Sequence, residues 1–290
     1  MKLQAVKGTH DRLPEQQALW NFVTNTTARV LESAGAGKLD TPIFEYAEIF
    51  ERSVGDSADL VVQKEMYTFT DRGERRLTLR PEFTAGVMRS FSEHGMYTRP
   101  SPVKLWSFGP IFRAENVQRG RYRQFHQINY ECLGNDAPLA DAEAIALSSM
   151  ILTELGLQNY VVKLGSVGDP ADRERYNEYL RAEFTKHAHE LSEVSQERLR
   201  LNPMRLLDSK DAFDQQLLAD LKKPLDMLDG DARAHLAAVE QLLAEWGVNY
   251  ELDPSIVRGL DYYRRTAFEL HYSGIGAQSA LGGGGRYDGL

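Results

Sequence analysis

Residues 113–123 concentrate positive charge in a chain whose net charge is −8. This stretch contains a single acid, Glu115, and four arginines, which are Arg113, Arg119, Arg121 and Arg123. Arginines that converge between two strands can hold a triphosphate bidentately, and an aromatic ring such as that of Phe125 can stack on a purine. A solvated hairpin tip is the alternative, and Gly120 fits it. The residues alone leave both interpretations open.

A carboxylate and a hydroxyl two residues apart, Glu82 and Thr84, lie where a predicted strand turns into a predicted helix. Together they could hold the ammonium group of a substrate. An acid in the first turn also stabilises a helix, because the amino end of a helix carries partial positive charge. On this segment alone the structural interpretation is favoured.

The predicted strand at residues 123–133 has an unusual side-chain alternation. One of its faces carries an aromatic ring, two amides and a carboxylate, which are Phe125, Gln127, Asn129 and Glu131. Buried amides and carboxylates need hydrogen-bond partners, so this face is a poor hydrophobic core. It is better suited to form the floor of a site for a polar ligand.

Two segments near the end of the sequence have the composition of ligand contacts. Residues 257–263 place Arg258 beside Gly259, where it can approach a phosphate, and add the hydroxyls of Tyr262 and Tyr263. Taken alone, this segment is better explained by a strand with a bulge at Gly259 and core tyrosines. Residues 282–285 are four glycines, which allow a backbone to approach a ligand closely but fit a flexible turn equally well.

Several other classes are excluded by composition. No apolar run approaches the roughly 18 residues of a membrane span, and the first residues lack the apolar core of a secretion signal. We therefore expect a cytoplasmic protein with no membrane partner. Cys132 is the only cysteine, which excludes an internal disulfide and a thiolate-rich metal site. His187 and His189 would lie on different faces of a helix, so no protein metal site is expected.

The elements that must position these residues follow from the hydrophobic pattern. A helix is predicted from Pro14 to residue 34, with an apolar stripe containing Leu19 and Phe22, and a second helix from Pro81 to about residue 94. Strands are predicted at residues 103–112, 123–133, 160–164 and 264–272, and a hairpin at 66–80. Residues 166–249 have helical spacing. The predicted fold class is α+β, an antiparallel sheet flanked by helices, with a mostly helical insertion.

Taken in order, these segments resemble the histidyl-tRNA synthetases, a family of class II aminoacyl-tRNA synthetases. Residues 41–45 resemble the family's motif 1, which forms the dimer interface, and residues 109–115 and 121–127 resemble motif 2. Residues 258–263 and 283–289 resemble two signatures peculiar to the histidyl enzymes. Each segment has little specificity alone, but all of them in this order are highly specific.

The resemblance implies a domain organisation. Residues 1–165 would form the first part of the catalytic core, residues 166–253 a helical insertion domain, and residues 254–290 the second part of the core. The family's motif 3 and anticodon-binding domain would lie beyond Leu290, so we expect a C-terminally truncated chain with impaired turnover. Phe83 stands where the family commonly has glycine, which could narrow the amino-acid site.

The resemblance also implies a role for each candidate residue. The α-ammonium group of histidine would be held by Glu82, Thr84 and Gln127. The imidazole nitrogens would be met by Glu131, Tyr262 and Tyr263. ATP would be bound by Arg113, Glu115, Arg121, Phe125 and Arg258. The cations that stabilise the α-phosphate during catalysis would be Arg113 and Arg258. The acceptor end of the tRNA would be touched by Gln118 and Arg123.

The implied partners are L-histidine, ATP with Mg²⁺ on its phosphates, tRNA(His), and a second copy of the chain in a homodimer. The implied reaction forms histidyl-adenylate and pyrophosphate, and then transfers histidine to the 3′ end of the tRNA. One alternative is the histidine-sensing, synthetase-like regulatory subunit of ATP phosphoribosyltransferase, although a sensor has no need of phosphate-binding arginines. The other is a nucleic-acid-binding module built on the arginine-rich segment.

Overall fold

The computed structural model describes residues 3–53, 65–118, 120–207, 209–256, 263–275 and 280–288. The described residues divide into two compact units, one ending at Gln158 and the other beginning at Asn159. No helix within the described ranges combines the length and the apolar character that crossing a membrane requires.

The first unit contains helices and two small sheets. Its elements in chain order are α1 (Pro14–Ser33), β1 (Gly37–Lys38), β2 (Phe44–Tyr46), α2 (Ala47–Ser53), β3 (Thr68–Thr70), β4 (Arg76–Leu79), α3 (Thr84–Glu93), β5 (Val103–Phe112), β6 (Gln124–Leu133) and α4 (Pro138–Glu154). One sheet has the order β1-β5-β6, with β1 parallel to β5 and β5 antiparallel to β6. The other has the antiparallel order β2-β4-β3.

Helix α1 begins at Pro14, as predicted, and the side chain of Gln16 accepts a hydrogen bond from the backbone N–H of Leu13 at 3.1 Å. The helix is followed by Gly35 in the left-handed region, with φ of +81°. The face that it buries is not the predicted apolar stripe. Leu19 is 66% exposed and Phe22 is 48% exposed, whereas the buried residues are Thr26, Thr27, Val30 and Leu31.

Helix α3 begins at Thr84 rather than at the predicted Pro81. The chain before it is still engaged with strands, because the N–H of Arg80 donates to Ile43 and the carbonyl of Arg80 accepts from Phe112. The strand-to-helix junction is therefore three residues longer than the proline alone suggested. Glu82 lies within this junction.

The second unit is a sheet covered by helices. Its elements are β7 (Tyr160–Ser166), α5 (Pro170–Thr185), α6 (Glu193–Leu201), α7 (Ala212–Asp220), α8 (Gly230–Glu245), β8 (Tyr250–Leu252), β9 (Tyr263–Tyr272) and β10 (Ala280–Tyr287). The strand order is β10-β9-β7-β8, antiparallel except for the parallel pair β7–β8. One apolar cluster joins helical residues such as Leu180 and Phe184 to the strand residue Ala267.

These elements confirm the predicted fold class, since antiparallel strands are flanked by helices in both units. The described strands form three separate sheets, with two parallel pairs that alternation along a single strand could not reveal. The predicted helical segment 166–253 contains α5–α8 and shares its apolar cluster with β9. The domain boundaries at residues 165 and 253 stay predictions.

Candidate functional site

The first turn of α3 and strand β6 are joined by the side chains of Thr84 and Glu131. The hydroxyl of Thr84 donates to Oε1 of Glu131 at 2.7 Å, and the amide of Asn129 donates to the same oxygen at 3.1 Å. Glu131 is only 5% exposed. A carboxylate this deeply buried needs several donors, and these two side chains supply them.

Glu82 lies in the same place, at the start of α3. Its Oε1 accepts the backbone N–H of Ala85 at 2.9 Å, and its Oε2 accepts that of Thr84. Burial raises the pKa of Glu82, the N–H bond from Ala85 offsets part of the rise, and the charge of Glu131 adds to it. The carboxylate thus stabilises the helix start, as the structural interpretation predicted. Two acids close together also form a favourable place for a cation.

The side chain of Gln127 carries the clearest sign of an unmet hydrogen bond. Its Oε1 is buried and has no partner among the described residues. Gln127 lies opposite Gly109 in the β5–β6 pair and alternates onto the same face of β6 as Glu131. An unsatisfied buried acceptor costs about 1–3 kcal/mol, so a ligand that donates to it gains binding energy.

Arg80, which the sequence analysis did not select, holds the junction before α3 in place. Its guanidinium donates to the carbonyls of Pro110 at 2.9 Å and Thr41 at 2.7 Å, and it lies 4.3 Å from the ring centroid of Phe83. Burial lowers the pKa of Arg80. Phe83, with 1% exposure, packs below this guanidinium and near Gly109. The only sequence signal was an arginine next to Pro81.

Arg113 connects the arginine-rich segment to the two acids. Its Nε donates to the carbonyl of Pro81 at 3.0 Å, which is the residue before Glu82. Its guanidinium carbon lies 5.5 Å from the ring centroid of Phe125. The described carboxylates make no ion pair with Arg113. Its positive charge is therefore available to an anionic ligand beside the acids.

The rest of the arginine-rich segment forms a turn stabilised from within. Gln118 and Arg121 exchange backbone hydrogen bonds at 3.2 and 2.9 Å around Gly120, which has φ of +81°. Arg121 forms an ion pair with Glu115 at 3.3 Å, and the Nε of Arg123 donates to the carbonyl of Glu115 at 3.3 Å. The predicted hairpin tip is thus present among the described residues. Arg119, the fourth arginine of the segment, lies outside the described residues.

The base of this turn rests on an N-terminal residue that the sequence analysis missed. The carbonyl of Gly8 accepts the N–H of Arg123 at 2.8 Å and that of Gln124 at 3.1 Å. Gly8 has φ of +88°, and a Cβ there would lie 2.7 Å from a methyl carbon of Val117 and 2.9 Å from Cγ of Arg123. Only glycine fits this position. A single glycine near the N-terminus gave no distinctive signal.

In the second unit, Tyr263 begins β9 and is 9% exposed within the apolar cluster. This is the position expected of a core tyrosine. The glycine-rich segment is strand β10, paired with β9, and is therefore not a flexible turn. A Cβ on Gly285 would lie 2.8 Å from Cδ1 of Tyr263, so this glycine makes room for the tyrosine ring. Arg258 and Tyr262 lie outside the described residues.

Comparisons with a family model, with curated proteins and with solved structures identify proteins that this chain resembles. The family model described as histidyl-tRNA synthetase matches residues 8–290. A protein of Thermus thermophilus named histidine–tRNA ligase is 57% identical over 292 residues, which covers 100% of this chain and 69% of that protein.

Solved structures give the same fold. The apo histidyl-tRNA synthetase of S. aureus superposes with a TM-score of 0.79 at 36% identity, covering 99% of this chain and 67% of that one. A Bacillus halodurans protein described as an ATP phosphoribosyltransferase regulatory subunit/histidyl-tRNA synthetase has a TM-score of 0.70 at 23% identity, covering 98% of this chain and 76% of that one. At that identity the second likeness shows a shared fold alone.

Proposed function

The chain belongs to the histidyl-tRNA synthetase family, and from this premise we propose how its side chains divide the work between the substrates. Its activity is the ATP-dependent activation of L-histidine and its transfer to tRNA. This function is supported over that of a regulatory subunit, because the relative at 57% identity is named as the ligase.

The α-ammonium group of histidine binds to Glu82, Thr84 and Gln127. The observation that carries this assignment is the buried Oε1 of Gln127, which has no partner among the described residues. An ammonium group offers three N–H donors and no acceptor. It supplies the donor that Gln127 lacks, and its charge offsets the burial, and the smaller repulsion from Glu131, that raise the pKa of Glu82.

The imidazole ring binds to Glu131, Tyr262 and Tyr263. Glu131 is held in one orientation by Thr84 and Asn129. A site whose polar groups are matched to both ring nitrogens rejects apolar amino acids strongly, because these would leave the site's donors and acceptors unpaired.

ATP binds to Arg113, Glu115, Arg121, Phe125 and Arg258, with its adenine on the ring of Phe125. In the first step a carboxylate oxygen of histidine forms a bond to the α-phosphorus, and the bond from that phosphorus to the bridging oxygen of pyrophosphate breaks. Negative charge grows on the α-phosphoryl oxygens. Arg113 and Arg258 stabilise it, each contributing about 3–4 kcal/mol if they act like one oxyanion donor.

Mg²⁺ enters on the β- and γ-phosphates of ATP. Glu115, the acid within the arginine-rich segment, is already paired with Arg121 at 3.3 Å. Phosphate oxygens and water are therefore the expected ligands, as is usual for this ion.

Gln118 and Arg123 touch the acceptor end of tRNA(His) in the second step, when a ribose hydroxyl attacks the activated carbonyl and AMP leaves. Both residues belong to the turn that Gly8 supports, and Gln118 is exposed. The family's catalytic core corresponds to residues 1–165 and 254–290, with the insertion at 166–253. The protein acts in the cytoplasm.

A homodimer forms through the β2-β4-β3 sheet of the first unit. Three aromatic side chains lie exposed there, with 54% of Phe44, 50% of Tyr46 and 42% of Phe69 accessible. The rings of Phe44 and Phe69 are in edge-to-face contact, 6.5 Å between centroids. Adjacent exposed aromatic rings are typical of a protein interface. Replacing Phe44 with serine should shift the dimer to monomer in sedimentation, and an unchanged dimer would place the interface elsewhere.

The amino-acid assignment is tested by histidine-dependent pyrophosphate–ATP exchange. Glu131→Ala should raise the KM for histidine about 10- to 100-fold, the loss of a hydrogen bond to a charged group, and leave the KM for ATP within twofold. Glu154→Gln, which removes an exposed acid paired with Arg29, is the control and should change neither. An unchanged histidine KM in Glu131→Ala would remove this residue from the site.

The phosphate assignment is tested separately. Arg258→Ala should abolish adenylate formation while histidine binding, measured by calorimetry, is largely kept. A wild-type exchange rate in this variant would remove Arg258 from the mechanism.

A further inference from the structure

Asp169, which precedes α5, receives two consecutive arginines of β9. Arg264 donates from Nε at 3.0 Å and from Nη2 at 2.6 Å to Oδ1. Arg265 donates from Nε at 3.1 Å to each oxygen and from Nη2 at 2.9 Å to Oδ2. The side chain of Asp169 is 16% exposed. Bidentate arginine–carboxylate contacts fix direction as well as distance, so the two guanidinium groups are held in place.

The backbone at Arg265 has an unusual conformation that these contacts maintain. Arg265 has φ of +49°, in the left-handed region that residues other than glycine rarely adopt. Its N–H donates to Gly168 at 2.8 Å, and its carbonyl accepts from Val167 at 2.9 Å. The β9–β10 register shifts at this point, between Gly285 and Arg286. Arg265 and Thr266 therefore have no partner in β10 and form a bulge in β9, and such bulges redirect neighbouring side chains.

The residue before the two arginines is Tyr263. Its carbonyl accepts a hydrogen bond from Nη1 of Arg173 at 3.1 Å. Arg173 lies in the first turn of α5, where its N–H donates to the carbonyl of Asp169 at 3.0 Å. Residues 169–173, at the start of α5, thus hold the start of β9 in two ways. Arg173 binds the backbone carbonyl of Tyr263, and Asp169 binds the side chains of the next two residues.

The acids around Asp169 are engaged with cations and backbone N–H groups of the protein itself. The carboxylates of Asp169, Asp172 and Asp229 come within 4.8 Å of one another. Asp172 accepts from Arg175 and from the N–H of Asp229 at 2.9 Å. Burial raises the pKa of Asp169, but the hydrogen bonds from Arg265 and Arg264 outweigh it and leave that pKa below its ordinary value. The cluster is therefore ion-paired within the protein. We call the contacts of Asp169 with Arg264 and Arg265 the clasp.

We propose that Asp169 is a positioning residue for histidine recognition, acting through Arg264 and Arg265 to fix the bulge that sets the position of Tyr263. The proposal rests on the assignment of Tyr263 to the imidazole ring. It connects the helical segment of the second unit to amino-acid specificity, since Asp169 directly precedes α5, Arg173 lies in α5 and Tyr263 lies in β9. Losing the clasp frees the left-handed residue to relax, and the tyrosine ring moves with it.

The test is steady-state pyrophosphate–ATP exchange on the full chain carrying Asp169→Asn. This variant keeps the size of the side chain and removes its charge. The KM for histidine should rise at least tenfold, while the KM for ATP stays within twofold. Glu251→Gln is the matched control, because it removes one carboxylate paired with Lys163 on the sheet of the same unit and should change neither KM. Equal changes in both KM values would indicate a general structural role and overturn the proposal.

A double-mutant cycle separates this proposal from the assignment of the site. If Asp169 acts through the tyrosine, Asp169→Asn should add less than twofold to the histidine KM in a Tyr263→Phe background. Full additivity would overturn the positioning role. An unchanged histidine KM in Tyr263→Phe alone would instead remove Tyr263 from the site.

A second variant covers the case in which Asp169→Asn does not fold. Arg265→Lys keeps the positive charge but loses the two-pronged contact, and should raise the histidine KM several-fold with little change in melting temperature. A wild-type KM in a folded Arg265→Lys protein would overturn the role of the clasp.

Discussion

The hydroxyl of Thr84 donates to Oε1 of Glu131 at 2.7 Å, which joins two residues assigned to opposite ends of the same amino acid. Thr84 would face the α-ammonium group and Glu131 the imidazole ring. In the proposed site, the two ends of histidine would thus be bound by groups that hold each other in position. Removing this hydroxyl should disturb both contacts.

Thr84→Val keeps the shape of the side chain and removes the donor. We expect the histidine KM to rise about tenfold, because one hydrogen bond to a charged group is lost, at about 1.5 kcal/mol. Thr84→Ser retains the hydroxyl and is the control, with a KM near that of the wild type. A tenfold rise in both variants would assign the effect to packing of the methyl group.

Gln127→Met should separate stability from binding. The unpartnered Oε1 of Gln127 is removed, so the free energy of unfolding without substrates should rise by up to about 1 kcal/mol. The histidine KM should rise at least tenfold, because the ammonium group loses its acceptor. Urea unfolding and exchange kinetics measure the two effects. A less stable variant would mean that the oxygen has a partner in solution.

Gly285→Ala should displace the ring of Tyr263. A Cβ at this position would lie 2.8 Å from Cδ1 of Tyr263 and 2.5 Å from the carbonyl oxygen of Thr266, so the strand must move. We expect a histidine KM raised at least fivefold and a lower melting temperature. Gly282→Ala is the matched control in the same strand, because a Cβ there meets nothing within 4 Å. Equal effects of the two substitutions would contradict the steric argument.

Gly8→Ala should weaken ATP binding through the arginine-rich turn. The positive φ alone costs about 1–2 kcal/mol for a residue with a Cβ, and the contacts with Val117 and Arg123 add to it. Gly35→Ala has a similar φ of +81° but meets nothing within 4 Å, so it isolates the cost of the backbone conformation. Both variants should lose stability, and only Gly8→Ala should raise the KM for ATP. An unchanged ATP KM would mean that the turn forms without Gly8.

The stability of the protein should fall in acid partly because of His126. Burial, followed by the charges of Arg12 and Arg80, lowers the pKa of His126 to about 4. The unfolded chain takes up this proton near pH 6.5 and the folded chain only near pH 4, so stability is complete above pH 6.5 and is lost as the pH falls towards 4. The shift corresponds to at most about 3 kcal/mol, and partial exposure reduces the expected loss to about 1–2 kcal/mol.

Urea unfolding at pH 7 and pH 4.5 checks this loss. His126→Gln retains an acceptor for Arg12, which donates to Nε2 of His126 at 2.8 Å, but cannot titrate. Its free energy of unfolding should change less between the two pH values than that of the wild type. Identical changes would assign the acid sensitivity to other groups.

The side-chain pattern predicted the two ten-residue strands of the first unit well, but it did not predict β8 or the glycine-rich β10. Strand β5 was predicted with its observed bounds, and β6 with an error of one residue at its start. The face of α1 could not be predicted this way. The burial of Thr26 and the exposure of Leu19 depend on which other elements pack against the helix, and the local sequence does not contain that information.

Within the candidate site, the sequence indicated residues whose chemistry is visible in their type, such as Glu131 and Arg113. It missed those whose role depends on distant contacts. Nothing in the local sequence distinguishes Arg80. Its guanidinium donates to three carbonyls that lie more than twenty residues away in the chain. Arg265 is equally inconspicuous, because neither its backbone conformation nor its pairing with Asp169 can be read from neighbouring residues.

The carbonyl of Gly8 closes the base of a turn that is made from residues far along the chain. During translation, the N-terminal residues leave the ribosome long before Arg123 and Gln124 exist to donate to that carbonyl. Closure of such a long loop carries a large entropic cost and belongs to the late stages of folding. The arginine-rich turn should therefore acquire its final shape only after the β5–β6 hairpin has formed, so nascent chains that end before β6 should lack the ATP site proposed for this turn.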